Sequence, residues 1–364
     1  MSTTRNWIRR TVIPTVAVTG MFTAAALGSG GSPAQAGTVN LVFASWNVCK
    51  TDCAPPAPSW DIRRERVARV IGESGADVIG VQEATNNPTT NAKTQLEDVA
   101  NLAAPAGYVM PTYALESNEC RRPRDAAGQL AGPSPCNNTA GLLFKTATVA
   151  QMAFANGAPS AGIAQYGSIV PGSDAESASR SVMWAYLRPV AGTKPFLAIS
   201  LHTINATTPE AEASRVALGA ALGNWVAAMN AQREIPGTPA ILMADLNSYA
   251  KRQPQGAQFQ LTQNGWIDAM STKTLRNVNY SSINYNPKLG LAEQGFPVKP
   301  YKFKKTGQNP TGNATRIDYI YVLGTGVKPL DYEVVIRLNK NGTFIPEYQG
   351  SDHQMIRTTL AFTE

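Results

Sequence analysis

The sequence predicts an α/β fold in which helices pack on the outside of a large β core. Short apolar runs rich in β-branched and aromatic residues recur along the chain, with helical patterns between several of them. No linker divides the chain, and the Gly-, Pro- and Asn-rich stretches at 121–138 and 286–315 have the composition of loops. We therefore expect one domain that extends from about residue 37 to residue 364.

Nine of the apolar runs are predicted to be strands, and several are continuous enough to be buried on both faces. They lie at 39–46, 77–82, 141–144, 181–187, 196–202, 240–245, 317–323, 332–338 and 354–362.

Three segments between these runs carry helical patterns. The strongest, 210–234, places its apolar residues on a single stripe, namely Leu218, Leu222, Trp225, Val226 and Met229. A second helix is predicted to begin near Asp61 and to stop at Gly75, with an inward face formed by Val67, Val70 and Ile71. The segment 91–107 shows a weaker pattern of the same kind.

The first 36 residues have the features of a secretory signal and are excluded from the fold. They combine three arginines and no acid in 1–10 with an apolar stretch at 11–28 and the small residues "AQA" at 34–36. Cleavage is expected near Ala36, which makes the mature protein a secreted one. No other segment reaches the roughly 18 apolar residues that a membrane-spanning helix needs, so no integral membrane association is expected.

The charge and the cysteines agree with an exported protein but do not identify a partner. Loss of the three arginines in the signal lowers the formal net charge from +7 to +4, a mild excess that is compatible with a polyanionic partner. The chain has four cysteines, and disulfides are expected because exported proteins meet an oxidising environment. Of the three possible pairings, Cys49–Cys53 with Cys120–Cys136 closes the shortest loops and is the one that we predict.

Polar residues occur repeatedly where apolar strands begin or end. They are Asn47, Glu83, His202, Asp245, Asn247, Asp318, Asp352 and His353, and they include both histidines of the chain. One such residue by itself usually serves a turn. A whole set of them indicates strand ends that converge on one functional site, because α/β folds assemble sites at the rims of their sheets.

The chemistry of this set favours a hard divalent cation. Oxygen donors dominate, with carboxylates at Glu83, Asp245 and Asp352 and carboxamides at Asn47 and Asn247. Such donors suit Mg²⁺, our first expectation, or Mn²⁺ or Ca²⁺, and not a structural zinc ion. The sequence lacks a G-x-S-x-G motif, a P-loop and a G-x-G-x-x-G motif, which argues against a serine hydrolase and against a nucleotide cofactor.

Six short motifs occur in the order seen in the endonuclease/exonuclease/phosphatase superfamily. They are "SWNV", "DVIGVQEA", "SLHTIN", "MADLNS", "RIDYIYV" and "GSDHQMI", and they span nearly the whole mature chain. Each is weak alone, whereas six in this order make a specific resemblance. Within the superfamily the chain is most similar to the pancreatic-type secreted deoxyribonucleases, because "ESASRSVMWAYL" resembles their strand with a phosphate-binding arginine, here Arg180.

The resemblance implies a four-layer α/β/β/α sandwich of two packed mixed sheets and metal-dependent cleavage of a phosphodiester. It implies roles for the polar residues, which are divided among four groups. Glu83 and Asp352 would hold the metal, with Asn47 near it; Asp318 would orient His353 as the general base. Asp245 and Asn247 would orient the nucleophile and stabilise the phosphorane, and His202 and Arg180 would bind phosphate oxygens.

One partner in this scheme is only loosely matched. The superfamily pairs the histidine at the position of His202 with a glutamate, and Glu116 is the candidate that the sequence offers.

Several functions remain open at this point. A nuclease acting on DNA, and also on RNA, is our first expectation; a sphingomyelinase or phospholipase C-like enzyme, another phosphoesterase and a non-catalytic binding protein are the alternatives. Segments 297–307 and 121–125 are basic, so each either contacts nucleic acid or forms a solvated loop. No obligate protein partner is inferred.

Overall fold

We describe a computed structural model of the chain that covers residues 37–53, 57–85, 89–92, 94–112, 140–284, 296, 298–303 and 315–364. These residues belong to one compact unit, Gly37–Glu364. The predicted signal at 1–36, Glu116, the predicted Cys120–Cys136 disulfide and the basic segment 121–125 lie outside the described residues, as do residues 297 and 304–307 of the other basic segment.

The strands of the described chain are numbered in chain order. They are β1 (Thr38–Asn47), β2 (Val78–Gln82), β3 (Tyr108–Val109), β4 (Ala140–Lys145), β5 (Val149–Gln151), β6 (Ala161–Gln165), β7 (Ser181–Pro189), β8 (Phe196–His202), β9 (Ala240–Asp245), β10 (Ile267–Asp268), β11 (Thr274–Arg276), β12 (Asp318–Leu323), β13 (Val327–Pro329), β14 (Asp331–Val334) and β15 (Ile356–Thr363).

The helices are numbered in the same way. They are α1 (Trp60–Glu73), α2 (Gln95–Ala103), α3 (Tyr166–Ile169), α4 (Ala175–Ala178), α5 (Pro209–Gln232) and α6 (Ala257–Gln263), with short 3₁₀ turns at Ala104–Ala106 and Pro346–Tyr348. None of the helices in the described parts of the chain combines the length and the apolarity that a membrane crossing needs.

Two mixed sheets pack face to face. The first has the strand order β11-β14-β15-β1-β2-β4-β3, with β13 also paired to β15; the second has the order β10-β12-β9-β8-β7-β5, with β6 also paired to β7. The pairs β1/β2, β8/β9 and β11/β14 are parallel, and the other pairs are antiparallel. Helices α1 and α2 pack on the outer face of the first sheet, and α5 and α6 cover the second. The predicted four-layer α/β/β/α sandwich is therefore confirmed.

Most of the predicted elements are present. All nine predicted strands occur, although the one expected at 332–338 already ends at Val334. The three predicted helices are α1, α2 and α5, and Gly75 follows α1 with a positive φ of 69°, as a stop signal requires. The elements β3, β5, β6, β10, β11, β13, α3, α4 and α6 were not predicted. All but two of them have only two to four residues, and β6 (AGIAQ) and α6 (AQFQLTQ) lack a continuous apolar run.

Helix α5 shows why this segment is helical. The Thr208 hydroxyl accepts a hydrogen bond from the Ala211 backbone N–H at 3.3 Å, and Pro209 occupies the first helical position. Leu218, Leu222 and Val226 of the predicted stripe are buried against the second sheet. Capping and one apolar face together fix where the helix begins and how it packs.

Side-chain alternation along β9 explains why a buried strand ends in a carboxylate. Ile241 and Met243 point into the core between the sheets, whereas Leu242 and Ala244 pack under the helices. Because successive side chains of a strand point to opposite faces, Asp245 continues the inward row. The apolar core between the sheets thus gives way to a carboxylate at the end of the strand, where the sandwich opens.

The two sheets approach most closely beside this site at Gly80 in β2. A Cβ atom added to Gly80 would lie 2.5 Å from Met243 Cβ and 3.3 Å from Ser200 Oγ. No real side chains come this close, so glycine is required here by the spacing of the sheets.

We expect Gly80→Ala to lower the free energy of unfolding by about 1–3 kcal/mol, because the added methyl group must push the sheets apart. Gly223→Ala in α5 is the matched control, since its nearest neighbour would be 3.9 Å from the new Cβ. Gly223→Ala should raise the free energy of unfolding by about 0.5–1 kcal/mol, because alanine favours a helix more than glycine does. Urea denaturation of the chain from residue 37 measures both changes, and equal stability of Gly80→Ala and the wild type would contradict the close packing.

Candidate active site

Strand registers bring three predicted site residues side by side in the second sheet. His202 at the end of β8 is the register partner of Asp245 at the end of β9. Asp245 is in turn the register partner of Asp318, the first residue of β12. All three side chains are buried, and they form a row across three adjacent strands.

The first sheet contributes Asn47, which reaches across the gap between the sheets. Its Nδ2 donates to Asp245 Oδ2 at 2.9 Å and to Glu83 Oε1 at 3.1 Å. Its Oδ1 accepts from the Cys49 backbone N–H at 2.9 Å and so faces away from both carboxylates. In this structure Asn47 therefore acts as a donor that joins the two carboxylates.

A buried polar bridge lies beneath the site. Gln82 Nε2 donates to Ser200 Oγ at 3.1 Å and to the Met243 carbonyl at 3.2 Å, and Ser45 Oγ donates to Gln82 Oε1 at 3.3 Å. Ser45 and Ser200 lie two residues before the site residues Asn47 and His202, and Gln82 directly precedes Glu83. The bridge fixes the relative positions of the two sheets where the site residues project.

His353 is held against Asp318 by the loop before β15. Its Nδ1 lies 3.0 Å from Asp318 Oδ2, and its Nε2 lies 3.9 Å from Asp245 Oδ2. Ser351 places the loop, because its hydroxyl accepts from the His353 backbone N–H at 3.1 Å and donates to the Asn47 carbonyl at 2.7 Å. One ring nitrogen is thus bound to a carboxylate and the other faces the cluster, the geometry expected of an oriented acid or base.

His202 occupies the opposite side of Asp245. Its Nε2 lies 3.5 Å from Asp245 Oδ2, 3.8 Å from Glu83 Oε1 and 3.1 Å from Asn247 Nδ2. Its Nδ1 lies 3.3 Å from Arg180 Nη1. Asp245 and Glu83 are thus the acids near His202 in the described part of the chain, while the proposed partner Glu116 lies outside it.

Asn247 is locked to the same group of residues. Its backbone N–H donates to Asp245 Oδ1 at 2.9 Å, and its Nδ2 donates to the Thr203 carbonyl at 2.9 Å. Its φ of 43° is one of five positive values at non-glycine residues of the described chain, and two of the others, at Glu83 and Cys49, also lie in the site. Left-handed backbone at such residues costs free energy and is typical of functional sites.

The two histidines have opposite electrostatic environments. Burial lowers the pKa of His202 to about 3. The charge of Asp245 acts to raise this pKa, and the charges of Arg180 and His353 act to lower it. Burial also lowers the pKa of His353, but the charge and hydrogen bond of Asp318, with the charges of Asp352 and Asp245, raise it well above the usual value. The protein therefore favours a neutral His202 and a cationic His353.

The predicted metal ligands Glu83 and Asp352 lie close together near the end of β1. Burial raises the pKa of Asp352, and the negative charge of Glu83 raises it further. Glu83 Oε2 accepts from the Lys50 backbone N–H at 3.1 Å, and the disulfide Cys49–Cys53, confirmed as predicted, closes that loop beside Asp352. Because the two sulfurs are bonded to each other, the available donors are carboxylate oxygens, which fit Mg²⁺, Mn²⁺ or Ca²⁺.

A second group of possible metal ligands lies in the same cluster of polar residues. One oxygen of Asp245, one of Asp318 and one ring nitrogen of His353 lie within 4.8 Å of one another. A bound cation is therefore compatible with either side of Asn47.

Arg63 in α1 is an important site residue that sequence reasoning missed. Its buried guanidinium donates to the carbonyls of Val48 at 2.9 Å, Lys50 at 2.7 Å and Gly350 at 3.0 Å, as well as to Pro58 and Cys49. It thus ties the loop after Asn47 to the loop before Asp352. Gly350 in the second loop is 287 residues from Arg63 in the sequence. The available signal was an arginine one turn before Val67 on an otherwise apolar helix face.

The predicted site residues therefore come together in one cluster. Direct contacts or shared partners link Asn47, Glu83, Arg180, His202, Asp245, Asn247, Asp318, Asp352 and His353. Arg180 stands at its edge, where burial lowers its pKa while the charges of Glu83, Glu176 and Asp245 raise it.

Comparison with known proteins agrees with this fold. The profile of the Endonuclease/Exonuclease/phosphatase family matches residues 44–353, and the chain belongs to this family. It is accordingly a phosphoesterase of that superfamily. None of the curated protein sequences matches the chain.

Three solved structures are similar over most of their length. A family protein from Bacteroides thetaiotaomicron has a TM-score of 0.58 at 17% identity, covering 90% of this chain and 99% of its own. A mannosyl-6-phosphatase from the same organism has a TM-score of 0.56 at 16% identity, covering 88% and 99%. ANGEL2, a 2′,3′-cyclic phosphatase in complex with adenosine-2′,3′-vanadate, has a TM-score of 0.55 at 14% identity, covering 90% and 97%. At such identities the likeness shows the fold.

We expect the two histidines of the chain to show no midpoint near pH 6.5 in the metal-free protein. A lowered pKa keeps His202 neutral above about pH 3, whereas a raised pKa keeps His353 protonated as the pH rises through 6.5. The measurement is a ¹⁵N-histidine NMR titration in chelator from about pH 5 to about pH 7.5, with His353→Ala to assign the signals. Two histidines that both titrate near their usual pKa would contradict the described electrostatics.

Proposed function

We propose that the protein is a secreted, divalent-metal-dependent phosphodiesterase that hydrolyses nucleic acid, with His353 as its general base. The observation that carries the proposal is the pairing of His353 with Asp318, with the free Nε2 directed at Asp245 in the cluster between the sheets. An imidazole oriented in this way by a carboxylate has the geometry needed to take a proton from water.

Each of the other residues has a role in this proposal. His353 Nε2 accepts the proton of the attacking water, and Asp318 stabilises the imidazolium that results. Asp245, held by Asn47 and Asn247, orients the water by accepting its other hydrogen. Arg180 carries a positive charge, and His202 lies beside it. The two side chains are suited to bind phosphate oxygens and to stabilise the negative charge that grows on those oxygens.

Glu83 and Asp352 are the residues proposed to hold the cation, with Asn47 beside them. When bound, such an ion neutralises phosphate charge and opposes the carboxylate charges that raise the pKa of His353, which helps the imidazole to be neutral before it acts. The oxygen donors make Mg²⁺ the first choice, with Mn²⁺ and Ca²⁺ as alternatives.

Two considerations favour nucleic acid as the substrate. The segment around Arg180 resembles the strand of the pancreatic-type deoxyribonucleases that has a phosphate-binding arginine. In addition, the chain outside the predicted signal has a net charge of +4, and lysines such as Lys299 and Lys302 lie on loops rather than in a core. A lipid phosphodiesterase would be expected to expose an apolar tip for entering a membrane.

Residues 1–36 are proposed to be the signal that exports the domain 37–364. Expression of the full chain in a bacterial host should place the protein in the periplasm or medium with Gly37 at its N-terminus, as read by N-terminal sequencing. Retention of Met1 on all of the folded protein would remove the signal assignment.

We expect purified protein from residue 37 to cleave plasmid DNA with Mg²⁺, and expect His353→Ala to lower kcat by about 10²–10⁴-fold because the general base is lost. A chelator should abolish cleavage by the wild type. Glu65→Ala, at an exposed position of α1, is the control, and circular dichroism checks that both variants fold.

The same preparation assayed on sphingomyelin liposomes tests the main alternative. Hydrolysis of the lipid without cleavage of DNA or RNA would overturn the nuclease proposal. Activity of His353→Ala within a few-fold of the wild type would instead remove that residue from the role of base, and cleavage in excess chelator would refute the metal requirement.

A further inference from the structure

A cavity of about 430 Å³ lies beside the candidate active site, and none of the nine site residues lines it. Its walls come from α6, β10, β12 and β14 and from the loops around Tyr249 and Tyr280. The volume is within the range of small-ligand pockets, about 300–1,000 Å³.

The cavity shares backbone with the active site. Tyr249 in its wall is two residues after Asn247, and Tyr319 directly follows Asp318. Ser282, also in the wall, accepts the Asp318 backbone N–H at 3.3 Å through its hydroxyl. Two residues span at most about 7 Å, so the backbone of the wall begins within one or two residue lengths of Asn247 and Asp318. Tyr319 itself faces the helices, on the opposite side of β12 from the Asp318 side chain.

Aromatic rings form much of the cavity wall. Tyr319 and Tyr321 are stacked, with ring centroids 5.6 Å apart and an interplanar angle of 21°. Tyr249, Tyr280 and Phe259 add further rings, and Phe259 is 40% exposed although it lines a cavity. Arg316 lies over Tyr319, Lys302 over Tyr280 and Arg252 over Tyr249, so each of these rings has one face left at most for a planar ligand, whereas no cation lies over Phe259 in the described chain.

Polar atoms in the same wall lack partners in the described chain. Tyr332 is 1% exposed, yet its Oη has no partner with hydrogen-bond geometry, and neither has Nε of Arg316 beside it. Burial raises the pKa of Tyr332 to about 12, although the nearby Arg316 opposes the rise, so the hydroxyl keeps its proton. An unpaired buried donor costs free energy, which a ligand with acceptor atoms would recover.

The cavity interior carries little uncompensated charge. Arg316 binds Asp268 through two hydrogen bonds of 2.7 Å, so its charge is neutralised by that carboxylate. The exposed Lys251 lies in the wall next to Ala250 and Tyr249. These features fit a neutral planar group with hydrogen-bonding edges inside the cavity and a phosphate outside it.

We propose that this cavity binds a nucleobase of the substrate, on a nucleotide next to the phosphodiester that is cleaved. The inference rests on the proposed function, because it assigns to that site a preference for a substrate with an accessible, unstacked base. A sugar ring would also stack on tyrosines, but it would need a denser set of hydrogen-bonding side chains than these mostly aromatic and aliphatic walls provide.

The binding test does not require catalysis. The probe is 2′-deoxyadenosine, titrated into the folded protein from residue 37 in chelator and followed by tyrosine ring signals in NMR, with 2-deoxyribose and mannose as base-free comparisons. Thr262→Trp fills the cavity from an exposed position of α6, and Gln263→Trp, exposed on the same helix but not in the wall, is its matched control. The wild type and Gln263→Trp should bind the nucleoside at least about tenfold more tightly than Thr262→Trp does, as expected for one stacked base.

A kinetic test connects the cavity with the reaction. The substrates are the p-nitrophenyl ester of thymidine 5′-monophosphate and methyl p-nitrophenyl phosphate, which has no base. Thr262→Trp should raise KM for the first about tenfold with kcat within threefold, and should leave kcat/KM for the second unchanged.

The outcomes separate the two proposals. Nucleoside binding that is lost in Thr262→Trp, together with no cleavage of any phosphodiester, would overturn the proposed function and leave the base-binding cavity standing. Cleavage of DNA with equal nucleoside binding by both tryptophan variants would overturn the cavity assignment alone. Binding of mannose or deoxyribose as tight as that of the nucleoside would also overturn it.

Discussion

The hydrogen bond from Asn47 Nδ2 to Asp245 Oδ2 joins the two sheets at the point where the site forms. Each residue ends an inward-facing row of side chains, which is apolar before Asp245 in β9 and includes the polar Ser45 before Asn47 in β1. The contact is possible only if both strands end at the same level and if the sheets lie close together. Gly80 provides that closeness, and the buried Gln82 and Ser200 bridge maintains it. Most of the other geometry of the site follows from this junction, because the row across β8, β9 and β12 is registered on Asp245.

The same junction sets the electrostatics. Several carboxylates and both histidines are withdrawn from water within a small volume, so their charges act on one another with little screening. His353 lies among Asp318, Asp352 and Asp245, whose charges drive it towards its cationic form, whereas burial, helped by the charges of Arg180 and His353, drives His202 towards its neutral form. A pair of titratable groups pushed in opposite directions is typical of sites that divide acid and base roles. An excess of clustered carboxylates is also what a cation site requires.

Two features around the site support it without belonging to the predicted set. Arg63 holds the loops after Asn47 and before Asp352 with one buried guanidinium, so residues almost 300 positions apart in the chain share an anchor. On the other side, the cavity lined by Tyr319, Tyr321 and Tyr332 extends from the backbone of Asp318. Chemistry and substrate selection would thus be supported by opposite sides of the same strand ends, one rigidly packed and one open to a ligand.

Much of the fold and the site could be predicted from the sequence, because both depend on local patterns. Apolar runs and helical stripes gave the nine long strands and three helices, and polar residues at strand ends, in the order of a known superfamily, gave the nine site residues. The remaining short strands and α3, α4 and α6 were missed, since they have few residues or no continuous apolar run. Arg63 and the Gln82 bridge looked like ordinary polar residues, and the cavity residues Tyr280, Arg316 and Tyr332 come from separate segments with no shared motif.

By itself, then, the sequence determined which residues form the polar cluster and which elements place them, because side-chain alternation and helix periodicity are written along the chain. Only the tertiary structure decided the distances, the opposite protonation of His202 and His353, the anchoring by Arg63 and the existence of the cavity. The physical reason is that burial, charge interactions and close packing depend on separations between residues far apart in sequence, and strand register and sheet spacing set those separations.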